Sequence, residues 1–477
     1  MLNRRIVQYA RGICISLMCA ACSIPSLVKK SENKNVPALY PNSQDTVNTA
    51  KVKWKDFFTD PNLQVLIDTA LINNQELNIM LQEINVASNE IRARKGEYLP
   101  FVHLRGGAGV EKSGRYTRNG ATDANTEIEP GKEFPDPLPN FIVAADVSWE
   151  VDIWKKLRNA KKSAVYRYLA TREGKNFMVT HLIAEIASSY YELMALDNQL
   201  AILIQNIEIQ QNALEIVKLE KQAAKVTELA VRRFEAEVLK NQSRRFYILQ
   251  QITVTENRIN FLVGRYPRPI TRNSTAFTDL IPDTISAGIP SQLLENRPDI
   301  KQAELDLMAT KLDVRVAKAN FYPRLDISAS IGLEAFNLTY LITKPESMLF
   351  YMAGGLAAPL INRNAIKANY YTANAKQIQA VYNYERTLLN AYIEVANQLS
   401  NIGNLEKSYD LKSKQVEALT QSIGISTRLF KSARADYMEV LLTQRDALES
   451  KFELIETKKQ QMNAVVNIYQ ALGGGWH

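Results

Sequence analysis

Residues 92–109 read RARKGEYLPFVHLRGGAG, and 223 positions later residues 315–332 read RVAKANFYPRLDISASIG. Arg92 falls on Arg315, Lys95 on Lys318, Tyr98 on Phe321, Pro100 on Pro323 and Gly109 on Gly332. Twice, a helical pattern meets a proline and emerges as an alternating strand. A second match lies at a shift of 209. TELAVRRFEAEVL (227–239) falls on DYMEVLLTQRDAL (436–448), and NFLVG (260–264) on YQALG (469–473). The chain is an internal duplication in which each half reads helix, strand, strand, long helix, turn, helix. The two shifts differ because the first half has the longer loop between its strands.

Four strands are predicted, at about 100–112, 140–154, 323–336 and 349–361. In the third, Leu325, Ile327, Ala329, Ile331 and Leu333 alternate with Arg324, Asp326, Ser328, Ser330 and Glu334. In the second, Val143, Ala145, Val147, Trp149, Val151 and Ile153 oppose Asp146, Ser148, Glu150 and Asp152. The first places His103, Arg105 and Glu111 on its polar face. Aromatic residues cluster near the strand ends. This is the pattern of a transmembrane β-barrel, apolar toward lipid and polar toward a lumen. A half-buried soluble sheet alternates in the same way. The polar stretches at 111–140 and 336–347 read as surface loops on one side.

Between the strands the chain is almost free of helix breakers, its 19 Gly and 17 Pro being clustered elsewhere. Asp60 caps a helix whose first position is Pro61 and which places Leu63, Leu66, Ile67 and Ala70 on one face. A second helix runs from about 75 to 97. Over 183–214 a heptad is strict: Ile186, Leu193, Leu200, Ile207 and Leu214 in one row, and Ile183, Tyr190, Asp197, Ile204 and Gln211 in the other. This predicts helices packed as in a coiled coil, with Asp197 and Gln211 as polar residues that set register. A helix from about 156 to 222 would extend roughly 100 Å.

Four strands do not close a barrel, and open edges in lipid cost several kcal/mol per unpaired polar group. Such a chain must oligomerise. Two copies give eight strands and three give twelve, and arithmetic alone does not choose.

All three cysteines lie in the opening MLNRRIVQYARGICISLMCAACS. A basic region, a short apolar region and small residues before Cys22 make a secretory signal. Cleavage after Ala21 discards Cys14 and Cys19 and leaves Cys22 as a first residue carrying lipid, as in bacterial lipoproteins; an ordinary signal cut nearby is the alternative. Cys19 stands three before Cys22, where an aliphatic residue is usual. The net charge of +8 does not indicate nucleic acid, because Lys and Arg are interspersed with acids. Apart from the leader, no run of about 20 apolar residues offers a spanning helix.

The elements WKDFFTDPNLQVLIDTALINNQEL, VSWEVDIWKKLRNA, ENRPDIKQAELDLMATKLDVRVAKANFYPRLDISASIG, GGLAAPLI and the terminal IYQALGGGW resemble the TolC-like outer-membrane efflux protein family. Within it they resemble the lipoprotein (OprM/NodT-type) branch that serves RND pumps. The resemblance covers nearly all of residues 50–477. It implies a mainly α fold in which a long coiled-coil α-helical barrel is continued by a transmembrane β-barrel, four strands from each chain of a homotrimer closing twelve. It implies a lipid-anchored protein of the cell outer membrane that extends into the periplasm. The implied partners are a periplasmic adaptor and an inner-membrane RND transporter.

On this reading residues 1–21 are the signal peptide and 22–50 a lipidated linker. Residues 51–264 are the first repeat, 265–295 an equatorial linker, and 296–477 the second repeat. The family's tunnel closes at its periplasmic tip, beside the helix–helix turns. Here these are QAAKVTEL and KSARADYMEV. Asp436 and Glu439 stand where acids often ring the pore. Ala224, Lys225, Ala433 and Arg434 are the adaptor-docking turn residues. The family often has glycine in these turns, whereas this chain has Ala224 and Ala433. Asp436 as a helix N-cap and Glu439 as a solvated surface residue are the alternatives.

No catalytic constellation, phosphate loop or metal cluster is legible, and no cofactor is expected besides the lipid on Cys22. His181 reads as a helix residue. The reading is a passive, non-enzymatic conduit for drugs or other small solutes. A type I protein secretion channel would share its architecture. A periplasmic coiled-coil scaffold lipoprotein is an alternative of a different class.

Overall fold

The computed structural model describes residues 24–41, 48–280, 286–432 and 434–476. The principal elements are α1 (Pro61–Asn73), α2 (Gln75–Tyr98), β1 (Phe101–Glu111), β2 (Leu138–Val151), α3 (Lys156–Gln222), α4 (Glu228–Leu262), α5 (Pro298–Ala319), β3 (Arg324–Ala335), β4 (Met348–Ala357), α6 (Asn364–Lys431) and α7 (Tyr437–Ala471). The duplication is visible in the boundaries, since α4 and α7 begin and end 209 positions apart. Two compact units emerge. One comprises Asn85–Leu169 and Leu305–Tyr382 with the N-terminal residues to Ser31, and the other comprises Glu32–Ile84, Ala170–Glu304 and Asn383–His477.

The first unit contains an antiparallel sheet in the order β1-β2-β3-β4. Its register aligns the pleats across all four strands. One row runs Val102–Val147–Ala329–Met352, and the next runs His103–Asp146–Ser330–Tyr351. On the inner strands the apolar row's face is the more exposed: Val143 is 54% and Ile331 59% accessible, while their neighbours Ala144 and Ser330 on the polar face are 2% and 3% accessible. Asp146 accepts a bond from Arg105 at 3.0 Å on that polar face. A soluble sheet hides its apolar side, and this one presents it.

Aromatic rings frame the strands. At one end Trp154 stacks on Tyr322 at 4.6 Å and donates to the Pro323 carbonyl at 2.7 Å. At the other, Phe336 packs edge-on against Phe134 and Tyr340. The connections at this second end hold more structure than the loops read from sequence. The first includes a short helix, Arg118–Asp123, and a two-stranded hairpin; the second includes a helix, Leu338–Thr343. Thr117 and Asn337 side chains cap these helices.

Asp152, expected on the polar face of β2, is not a strand residue. The strand ends at Val151, and the buried Asp152 carboxylate accepts from the Leu157 and Arg158 amides at 3.0 and 2.9 Å. It satisfies the orphan donors at the start of α3. The last strand likewise stops at Ala357, short of Pro359, which has no amide hydrogen to offer a ladder.

The second unit holds the largest core. Asp60 caps α1 by accepting from the Asn62 and Leu63 amides at 2.8 and 3.4 Å, and Leu63, Leu66, Ile67 and Ala70 are all buried. Phe57 stacks on Tyr469 at 4.0 Å, and the Tyr469 hydroxyl donates to the Val52 carbonyl at 2.6 Å. The heptad row from Ile186 to Leu214 faces inward as expected. The second row does not persist, because Ile204 and Gln211 are exposed. Along the later part of α3 the buried positions are Leu203, Asn206, Ile207, Gln210, Leu214 and Val217. The covering elements change there: beyond Asp197 the helix packs on Ile248 of α4 and on Leu448 and Phe452 of α7, and Ile204 and Gln211 lie outside that contact. Gln210, not Gln211, is the buried polar seam residue, accepting from Asn241 of α4 at 2.8 Å. Asp197 instead receives a two-pronged bond from Arg272 at 2.6 and 2.9 Å, fastening the segment after α4 to α3.

Candidate functional site

The two helix–helix turns lie in the second unit. At the end of α3 the Lys225 amide reaches back to the Glu220 carbonyl and the Ala224 amide to Lys221, both at 2.9 Å. These crossed bonds form a Schellman turn, which requires a left-handed residue at its centre. Ala224 supplies it, with φ of 56°. The chain thus keeps the turn without the family's glycine, at a cost of about 1–2 kcal/mol. After α6 the Arg434 amide bonds the Leu429 carbonyl at 2.9 Å, the equivalent long-range bond. Ala433 lies outside the described residues. Ala224, Lys225 and Arg434 are exposed.

The helices leaving these turns pack side by side. Leu214, Val217, Ala230, Val231, Phe234, Val238 and Leu441 form a buried cluster, with Val226, Tyr437 and Met438 at its margin. This core brings both turns together on α3, α4 and α7.

Electrostatically the two turns differ. In the first, Glu228 is bonded by Lys221 and by Arg232, the latter at 2.8 Å. The Lys221 hydrogen bond, aided by both positive charges, holds the Glu228 carboxyl below the usual carboxylate range. In the second, Asp436 occupies the N-cap position of α7, but its side chain makes no capping hydrogen bond. Glu439 sits in the first turn of α7, and both acids are exposed. The positions equivalent to Asp436 and Glu439 in the first half are Thr227 and Ala230. A trimer would therefore present these two acids from the second turn alone.

The two segments that carry the family resemblance most specifically meet away from these turns. Arg297 of the RPD sequence is buried, pairs with Asp299 and Glu394, and donates to the Ala471 carbonyl at 2.9 Å. Trp476 of the LGGGW sequence donates to the Asn296 carbonyl at 3.1 Å. Asn74, the first-half equivalent of Arg297, likewise donates to the Leu262 carbonyl at 2.9 Å. These motifs build a joint between helix ends. Sequence reasoning marked them as specific but gave them no task. The pairing of Asn74 with Arg297 at the 223-residue shift was the available signal.

Cys22 lies outside the described residues. The chain just after it is anchored: Ile24 and Leu27 pack against Ala317, Phe321 and Tyr370, beside the start of β3. Among the described residues no group of three or more His, Cys, Asp or Glu side chains is arranged to hold a metal ion, and no helix is long and apolar enough to cross a membrane. His181 is an exposed helix residue next to Glu185.

The outer membrane efflux protein family model matches residues 66–265 and 289–474, one match in each half. The chain is 28% identical over 436 residues to the solvent efflux pump outer membrane protein SrpC of Pseudomonas putida, covering 91% of this chain and 89% of that protein. It is 26% identical over 471 residues to the cation efflux system protein CusC of Escherichia coli O6:H1, covering 97% and 98% respectively. The crystal structure of a membrane protein from Pseudomonas aeruginosa superposes with a TM-score of 0.83 at 22% identity, over 94% of this chain and 99% of that one. The duplicated halves, the outward apolar sheet and the long paired helices are thus those of an outer-membrane efflux channel, and the chain belongs to the outer membrane efflux protein family.

Proposed function

We propose that three copies of this chain close a twelve-stranded barrel across the outer membrane, continued by a periplasmic helical tunnel. The assembly is a passive exit duct for small solutes. An inner-membrane RND transporter supplies the energy, and a periplasmic adaptor docks at the turns around Ala224, Lys225, Ala433 and Arg434. The observation that carries this reading is the four-stranded sheet with its apolar face exposed and β1 and β4 each paired on one side only. Strands of 10–14 residues fit a tilted crossing of the hydrocarbon core. Closure by neighbouring copies satisfies both edges, as lipid demands.

Residues 1–21 act as the leader, and Cys22 carries the lipid. The packing of Ile24 and Leu27 beside Phe321 supports this, because a two-residue span reaches only about 7 Å and keeps the anchor near the base of the sheet. Asp436 and Glu439 form the constriction at the periplasmic end. The related channels carry names that specify solvents in one case and cations in another, so the duct itself is read as unselective in substrate class, with the pump choosing the cargo.

Cross-linking of outer-membrane extracts tests the reading. A heat-modifiable trimer is expected, and a monomer or a protein absent from the outer membrane would contradict it. Cys22→Ala should abolish acyl labelling of the mature protein; undiminished labelling would remove the anchor assignment.

A further inference from the structure

The N-terminal segment does more than lead away from Cys22. Beside its contact with α5 and α6 opens a cavity of about 710 Å³. Lys29 and Lys30 stand on the segment itself, and Lys311, Arg315 and Lys318 line the cavity from α5. The lining includes five cationic side chains and no carboxylate. Val314, Leu27 and Tyr370 add an apolar strip. The nearby acid Asp313 is engaged by Ser163 at 2.7 Å and by Arg167. Lys29, Arg315 and Lys318 are exposed and make no ion pair among the described residues.

The height of this cavity is fixed by the chain. Lys318 precedes the first residue of β3 by six positions and Arg315 by nine. The helix α5 ends at Ala319, so Lys318 stands one residue and Arg315 four residues, about 6 Å of helix, before that end. A bilayer's headgroup zone extends about 5–8 Å beyond each side of its hydrocarbon core. The cationic groups on their long stems therefore fall at or just below the headgroups when β3 crosses the core. Lys29, Arg315 and Lys318 above an apolar strip match a phosphodiester with an acyl chain attached. A free phosphate would have no use for the strip.

We propose that this groove binds the headgroup of an anionic glycerophospholipid of the periplasmic leaflet, one per chain, alongside the chain's own lipid. The site is specific to the second half. Arg92 and Lys95, the equivalents of Arg315 and Lys318, do not line it, because the N-terminal segment lies against α5 and not α2. The inference rests on the membrane-spanning reading of the sheet.

The test uses the full mature protein in phosphatidylcholine nanodiscs containing a minor fraction of phosphatidylglycerol, with native mass spectrometry of the released trimer. The wild type should retain phosphatidylglycerol. Lys29→Gln/Arg315→Gln/Lys318→Gln should retain about a hundredfold less, since each basic side chain near an anionic surface contributes a factor of about five. Arg92→Gln/Lys95→Gln should match the wild type. Equal retention in the wild type and the triple variant, or equal loss in both variants, would overturn the site. Displacement of the lipid by millimolar inorganic phosphate would overturn it in favour of a free-anion pocket. Failure of the wild type to enter discs would instead sink the membrane reading, and this site with it.

Discussion

Each long helical hairpin ends in the same kind of turn, yet the two ends of α4 meet different demands. At its start, Ala224 holds the left-handed position and is exposed. At its end, Gly264 holds it, with φ of 74°, and a Cβ there would stand 2.3 Å from the Asn73 carbonyl oxygen. The second half repeats the arrangement: Gly473 has φ of 89°, and its Cβ would stand 2.5 Å from the Asn296 carbonyl oxygen. Glycine is kept where backbone meets backbone. At the other end only the conformational cost remains, and alanine bears it. The crowded turns are closely packed joints, whereas the open turns share one small apolar cluster, with surface ion pairs among the described residues at the first turn alone. On the gating proposed above, this contrast would let the open turns move while the crowded ones hold.

The largest expected effects lie at the fixed joint. Arg297→Met leaves Asp299 and the Ala471 carbonyl without their buried partner and should destabilise the protein by about 3–5 kcal/mol. Asn74→Ala, which removes a neutral donor from the equivalent place, should cost about 1–3 kcal/mol. Denaturant unfolding of both variants tests the ranking, and equal losses would mean that the two joints are not counterparts. Gly473→Ala adds backbone overpacking to left-handed strain and should cost about 2–5 kcal/mol. A wild-type transition midpoint in that variant would remove the steric argument.

Arg substituted at Val147 or Ile327, on the exposed apolar face, should cost about 2–4 kcal/mol in a bilayer. At Ser148 or Ser328, one residue away on the polar face, it should be tolerated far better. Refolding into bilayers followed by urea titration reads the difference, and equal damage on both faces would identify a soluble sheet. The smallest effect belongs to the open turn. Ala224→Gly relieves left-handed strain but loosens the unfolded chain, so its stability should change by no more than about 1 kcal/mol. A large loss there would erase the contrast between the two ends.

Much of this was legible in the sequence, because the duplication lets each half check the other. Pro100 and Pro323 marked both strand starts, and the alternation around Ile327 gave the faces of the sheet. Alternation could not say which face the chain leaves open; the accessibility of Val143 and Ile331 showed that it is the apolar one. Gln211 was misread because a heptad records spacing without recording when the neighbouring helices change. Asp152 was misread because parity continued past the residue at which the strand stops. Asp436 and Glu439 were named through the resemblance alone; among the described residues neither makes an ion pair, and Asp436 makes no capping bond. How closely they approach a pore axis depends on copies of the chain that one sequence does not position.

Planar-bilayer recording of the purified trimer, wild type against Asp436→Ala/Glu439→Ala, tests most directly whether the open turn of the second half is the gate. Three pairs of carboxylates at a constriction focus a negative potential that favours cations. The double variant should lose cation selectivity and show a raised resting conductance. Selectivity and conductance both equal to the wild type would place the gate elsewhere and leave the two acids as surface residues at the start of a helix.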